Sequence, residues 1–120
     1  FFFCDSGMLP WLLVVEIMCR TGKPLSELVR ERIAKFPCSG EINRRVADPD
    51  ASIAQIHDHY QNQNPRIDLT DGVGMDFGEW RFNLRKSNTE PIIRLNVETR
   101  GNQTLLKEKT EEILSLIDKT

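Results

Sequence analysis

An α+β fold is predicted for residues 39 to 120: an antiparallel sheet of four to five strands with two helices packed on one face. A strand and two helices over residues 1 to 38 precede it and read as the tail of another domain. Three observations predict this. Between Arg66 and Glu98 apolar residues recur at every second position in runs broken by turn residues, the signature of half-buried strands. The stretches on either side of that region, near 48 to 61 and 102 to 118, each carry one apolar stripe at helical spacing. Finally, composition and element type change together at "FPCSG", residues 36 to 40, which places a boundary near Ser39.

Each element has a local reason. The opening "FFF" reads as a buried strand, and its lack of a preceding turn suggests an interior strand with chain upstream of it. Asp5, Ser6 and Gly7 end it and cap a buried helix from about Met8, with Pro10 tolerated in the first turn. Gly22 and Pro24 close that helix. A second helix over 25 to 36 aligns Leu25, Leu28, Val29, Ile33 and Phe36, and Pro37 stops it. "EINRRVA" is a short strand. Asp48 followed by Pro49 then opens a helix whose apolar face is Ile53, Ile56 and Tyr60. Ile67 and Leu69, then Val73, Met75 and Phe77, form a hairpin across "TDG" with one buried face. A turn at Gly78 and Glu79 leads to a strand with Trp80, Phe82 and Leu84 inward and Arg81, Asn83 and Arg85 outward. The next strand buries Ile93, Leu95 and Val97 and exposes Arg94, Asn96 and Glu98. Successive hairpins predict a meander. Gly101 and Asn102 begin a last helix to about Asp118, with Leu106, Thr110, Ile113, Leu114 and Ile117 toward the sheet. The sheet's other face is polar, free to meet a ligand or another domain.

Composition narrows the function classes. With 120 residues and a net charge of -2, the chain has no basic footprint for nucleic acid, so a positive site must be local. A sheet platform for RNA is further disfavoured by a polar face poor in aromatic residues. Cys4, Cys19 and Cys38 show no CxxC spacing, and buried, reduced thiols of a cytoplasmic protein are expected. Asp5 and Glu16 interrupt the apolar opening, so neither a signal peptide nor a membrane span is expected.

The chemistry concentrates in "RKSNTEP", residues 85 to 91. A turn needs one or two polar residues, yet Arg85, Lys86, Ser87, Asn88 and Thr89 all carry donors. Alternation puts Arg85 and Arg94 on the polar face of adjacent strands, leaning over the connection. Guanidinium forks supply charge and bidentate geometry to a phosphate dianion, and short Ser, Asn and Thr donors fix the remaining oxygens. Pro91 stiffens the exit and holds Glu90 extended. Glu90, which would repel an anion, is expected to orient the loop or an arginine. The competing reading is a polar hairpin whose side chains satisfy their own backbone.

"RKSNTEPIIRLNVE" resembles the phosphate-binding loop, Arg-x-Ser-Asn-Thr-Glu-Pro followed by an arginine-bearing strand, of the C-terminal domain of the α-D-phosphohexomutases. "CDSGM" with its helices resembles the end of that family's third, α/β domain, and "FPCSGEIN" through "DGVGMDFGEWRFNLR" its fourth. The wording is most similar to the bacterial phosphomannomutase branch; phosphoglucomutase is the alternative within the family. The resemblance implies a TATA-box-binding-protein-like C-terminal domain. It also implies transfer between a phosphoserine and a hexose phosphate, a magnesium ion at the phosphoserine, and a grip on the non-reacting phosphate. Residues matching the motif are Arg85, Ser87, Asn88 and Thr89; Arg94 is added on geometry alone. The family's phosphoserine, Asp-Gly-Asp metal and Gly-Glu-x-Ser-Gly sugar loops do not occur in this sequence. No catalytic or metal-binding residue is therefore expected in these residues, and they are expected to be inactive alone. The expected partners are a hexose phosphate and the preceding domains. A non-catalytic phosphate-binding or interaction module is the alternative from another class.

Other candidates are weaker. His57 and His59, two apart on a helix, diverge by about 200° and cannot share an ion; a packed, hydrogen-bonded His57 is expected. "KEKTEE" at 107 to 112 reads as a solvated helix face. Arg44 and Arg45 lie too near Asp48 and Asp50 to extend a basic surface, whereas Lys86 is expected to add local positive charge.

Overall fold

The computed structural model describes residues 6 to 119. The strand predicted at residues 1 to 3, together with Cys4 and Asp5, lies outside the described residues. The chain divides into two compact units, Phe1–Ala34 and Lys35–Thr120.

In the first unit α1 spans Met8–Thr21 and α2, which runs on into the second, spans Leu25–Lys35. Gly22 ends α1 in the left-handed conformation (φ 66°) and returns its N–H to Met18 O at 2.9 Å. Lys23 sits between Glu27 and Glu31, whose carboxylates raise its pKa. The burial expected of α1 is corrected: it has no buried residue, and Leu9, Trp11, Leu12, Leu13 and Ile17 are exposed. A helix apolar on most sides needs a sheet to cover it, and no strand stands among the described residues of this unit. In the α2 stripe Leu25, Val29 and Ile33 are exposed as well, while Leu28 is half-buried.

The second unit is the predicted α+β sandwich. Five strands, β1 (Ile42–Arg45), β2 (Arg66–Asp68), β3 (Val73–Asp76), β4 (Trp80–Lys86) and β5 (Ile92–Thr99), pair antiparallel in the order β1-β5-β4-β3-β2. Helices α3 (Pro49–Gln61) and α4 (Gln103–Ile117) cover one face. Both begin as the sequence directs: Asp48 Oδ1 accepts from the N–H groups of Asp50 and Ala51, and Asn102 Oδ1 from Leu105 N–H.

Alternation sorts the sheet. Trp80, Phe82, Leu84, Ile93, Leu95 and Val97 form the floor of the core, and Ile56, Tyr60, Leu106, Ile113 and Ile117 form its roof. Thr110 and Leu114 are only half-buried. The buried face expected for β2 is corrected. Ile67 is 44% and Leu69 68% exposed, because this three-residue edge strand reaches beyond the helices. At the opposite edge Ser39 N–H donates to Val97 O at 2.9 Å while Val97 N–H donates to Ser39 Oγ at 2.9 Å. The segment before β1 thereby extends the sheet along β5.

The thiols expected to be buried are exposed at Cys19 and Cys38, and both are free. Cys38 bridges to Glu98, on the polar side of the sheet.

"KEKTEE" is only partly a solvated face. Tyr60, fully buried, donates its hydroxyl to Glu112 Oε1 at 2.8 Å, and Lys109 Nζ meets Glu112 Oε2 at 2.6 Å. Lys109 also lies 5.3 Å from the Trp80 ring centroid. Partial burial pushes the Glu112 carboxyl up, but bonds from Lys109 and Tyr60 outweigh it and hold the pKa below the ordinary 4.5. Burial, reinforced by this carboxylate, drives the Tyr60 phenol far above its usual 10. Because the folded Glu112 pKa is depressed, its stabilisation is complete above the unfolded value and is lost as pH falls through the folded one. The urea midpoint is therefore expected to drop between about pH 5 and pH 3, and Glu112→Gln to flatten that drop. Identical pH profiles for the two proteins would contradict the assignment.

Candidate functional site

Strands β4 and β5 pair with Trp80 opposite Thr99, which brings Arg85 directly opposite Arg94 on the polar face. Residues 87 to 91 join the strands. Ser87 N–H donates to Ile92 O at 2.8 Å and closes the hairpin; Ile92 N–H donates to Glu90 O at 2.8 Å and pinches the chain around Pro91. Val46 N–H donates to Pro91 O at 3.1 Å, tying the loop to the end of β1. The polar side chains do little for the loop itself. Ser87 Oγ stands 3.4 Å from both Thr89 Oγ1 and Thr89 N, too long for strong bonds, and Asn88 is exposed at the tip. The hairpin's own backbone thus gives little use for these donors.

Two like charges directly across an antiparallel pair repel, and a carboxylate the sequence reading did not single out offsets this. Glu41, immediately before β1, places Oε2 3.1 Å from Arg85 Nη2 and Oε1 3.6 Å from Arg94 Nη1. One carboxylate therefore spans both guanidinium groups. A second, Asp71 in the β2–β3 turn, places Oδ2 3.3 Å from Arg85 Nη1. Gly72 brings that turn so near. At φ 79° it lies where an added Cβ would meet Leu84 O at 2.4 Å and Arg85 Cβ at 2.7 Å. Asn83 Nδ2 also donates to Asp71 O at 2.8 Å. Arg94 retains a donor: its Nε is buried and has no hydrogen-bond partner among the described residues. A buried donor left unmade costs about 1–3 kcal/mol.

Among the neighbouring charges Lys86 departs from expectation. Lys86, expected to add free positive charge, instead bonds both oxygens of Asp50 at 2.8 and 2.9 Å. It lies on the helix side of the sheet and fastens β4 to the first turn of α3. Glu90 stands 3.9 Å from Arg45 and so faces neither Arg85 nor Arg94 through an ion pair. His57 meets Asp58 at 3.4 Å, and no group of three His, Cys, Asp or Glu among the described residues could hold a metal. No helix among the described residues is long and apolar enough to cross a membrane.

Beside the arginines the polar sheet face sinks into a hollow of about 360 Å³ lined by Arg66, Asp71, Gly74, Arg81, Asn83 and Glu98. Arg81 and Glu98 close one side of it with a 2.7 Å ion pair. The whole arrangement presents two guanidinium groups held side by side, a buried unpaired N–H, and three small polar side chains on a braced loop. Chemically it suits a tetrahedral oxyanion.

Residues 41–116 match a family model described as phosphoglucomutase/phosphomannomutase, C-terminal domain, and residues 1–36 match the alpha/beta/alpha domain III of the same group. Curated relatives agree. The chain is 55% identical over 117 residues to a protein of Xanthomonas campestris pv. campestris named phosphohexose mutases. It is 55% identical over 118 residues to a phosphomannomutase of Salmonella montevideo and 51% identical over 118 residues to one of Escherichia coli. Each match covers 98% of this chain and 26% of the relative, so the chain spans about a quarter of the length of these proteins.

Proposed function

Because this chain belongs to the phosphoglucomutase/phosphomannomutase family, we propose that Arg85, Ser87, Asn88 and Thr89 grip the non-reacting phosphate of a hexose phosphate, with Arg94 completing the clamp. The observation that carries the proposal is the Arg85–Arg94 cross-strand pair, opposite one another and bridged by Glu41. Arg85 offers a planar fork, Arg94 an unpaired buried N–H, and the loop hydroxyls and amide supply short donors. Pro91 and Glu90 shape the loop, through the bond from Val46 N–H and the contact with Arg45 respectively.

The clamp makes and breaks no bond. It contributes remote binding energy: holding the distal phosphate orients the sugar so that its far hydroxyl meets the phosphoryl donor. In this reading residues 39 to 120 form the C-terminal clamping domain and residues 1 to 38 the end of the preceding α/β domain. Phosphoserine chemistry belongs to other parts of a cytoplasmic mutase, and this chain alone is inactive. The magnesium ion such a mutase uses finds no ligand set among the described residues, and no step here passes through it. Relatives named phosphomannomutase favour mannose 6-phosphate and mannose 1-phosphate as the substrate pair. The clamp itself reads phosphate and not the C2 hydroxyl, so it serves a glucose phosphate equally well.

A titration of the ¹⁵N-labelled chain with mannose 6-phosphate tests the reading. Amide shifts are expected to centre on residues 85 to 94 and to be absent with mannose. Shifts centred elsewhere, or equal shifts with the unphosphorylated sugar, would overturn it.

A further inference from the structure

The two carboxylates at Arg85 are not equivalent. Glu41 touches both arginines, is 37% exposed, and is held by a strand whose register with β5 sets Asn43 against Arg94. Asp71 touches only Arg85, through one contact of 3.3 Å, and its side chain is 71% exposed. All three contacts exceed the 2.7–2.9 Å of a tight charge-assisted bond, so Asp71 differs from Glu41 in having one guanidinium partner instead of two and a far more exposed side chain. The Asp71 backbone is nevertheless fixed, by the Asn83 bond to its carbonyl and by the close approach of Gly72 to β4. A firmly placed backbone thus carries a loosely held carboxylate against one arm of the fork. The other arm, Nη2, is committed to Glu41.

We propose that Asp71 is a placeholder anion for the phosphate clamp. It covers Arg85 Nη1 between binding events, rotates aside when a phosphate oxygen takes that position, and returns to help expel the phosphate. The inference rests on the phosphate-clamp reading above and adds to it a device for release. Charge supports the division of labour. Arg85, Arg94, Glu41 and Asp71 together sum to zero, and a dianion approaching that neutral set gains little. Once Asp71 turns away, the remaining three carry one positive charge, and Arg85 Nη1 is left without its carboxylate. A clamp that serves repeated turnovers must also let its phosphate go. A clamp with a built-in competitor shortens the bound lifetime, and most tuning of affinity is in the off-rate.

The test compares the chain with Asp71→Asn, which keeps the side-chain shape and the carbonyl bonded by Asn83 but removes the charge. Asp76→Asn serves as control: Asp76 lines the same hollow, caps Gly78 N–H at 2.8 Å, and has no ion pair with Arg85. Dissociation constants for inorganic phosphate and mannose 6-phosphate are read from amide shifts at residues 85 to 94. An exposed pair is modest in strength, so Asp71→Asn is expected to tighten binding of both ligands about two- to fivefold, mainly through slower release, with Asp76→Asn changing it less. Unchanged or weaker binding by Asp71→Asn, or equal tightening by Asp76→Asn, would overturn the placeholder role. Asp71→Ser gives the same readout should the asparagine disturb the turn. If the unaltered chain gives no shifts at residues 85 to 94 with either ligand, the clamp reading itself fails, and the placeholder with it.

Discussion

Arg85→Ala is expected to weaken mannose 6-phosphate binding about 30- to 1,000-fold, corresponding to about 2–4 kcal/mol. Among the described residues it is the clamp member whose two terminal nitrogens face different carboxylates, Glu41 and Asp71, and hence the one whose fork a ligand can enter by exchanging a partner. Truncation removes the fork, leaves Glu41 facing Arg94 alone, and puts a net negative charge beside the loop. Arg85→Lys separates charge from geometry: a point charge without the planar fork should recover part of the binding but not most of it. The side chain is about a third exposed, so the fold should survive. Calorimetric titration at fixed ionic strength provides the measurement, because a charge-driven contact weakens with salt. Affinity unchanged in Arg85→Ala would mean that the loop alone, or another part of the surface, holds the anion.

Gly72→Ala is expected to cost about 3 kcal/mol of stability or more. A left-handed backbone penalises any L side chain by about 1–2 kcal/mol, and overpacking adds about 1–3 kcal/mol. Here the added methyl would sit 2.4 Å from a backbone carbonyl of the neighbouring strand, which cannot move without breaking β3–β4 pairing. Urea unfolding measures the cost. The same substitution must push the β2–β3 turn, and with it Asp71, away from Arg85. A Gly72→Ala protein that unfolds within about 0.5 kcal/mol of the parent would show that the turn has slack, as an ordinary surface site does.

Those two residues mark the limit of what the sequence discloses. Period-two alternation in "WRFNLR" and "IIRLNVE" made the core face of β4 and β5 readable, and adjacency across one short loop made the Arg85–Arg94 pairing readable too. Asp48 and Asn102 announced their helices through local capping chemistry. Glu41 was not readable as a clamp member, because it lies 44 residues from Arg85 and reaches it only once β1 pairs with β5, beyond the meander. Asp71 looked like an ordinary turn residue, since nothing in "TDG" says that the turn will fold back onto β4. The signal was present only in Gly72, whose demand for close approach is a property of three dimensions.

A similar distinction explains the misjudged charges. Lys86 follows Arg85 by one position and therefore points to the opposite side of the sheet, where Asp50 at the start of α3 neutralises it. Within "KEKTEE", Lys109 and Glu112 are three apart on one helix face, and that face meets Tyr60 of α3. In both cases the residue type suggested an unpaired charge, and a partner brought near by the fold decided otherwise.

The decisive measurement for the clamp is a crystal structure of this chain with mannose 6-phosphate bound. The phosphate is expected against the Ser87–Thr89 segment, within hydrogen-bond reach of Arg85 Nη1 and Arg94 Nε, with Glu41 still spanning both arginines and Asp71 turned away. A phosphate seated elsewhere on the polar face, with the Arg85–Asp71 contact intact, would contradict it.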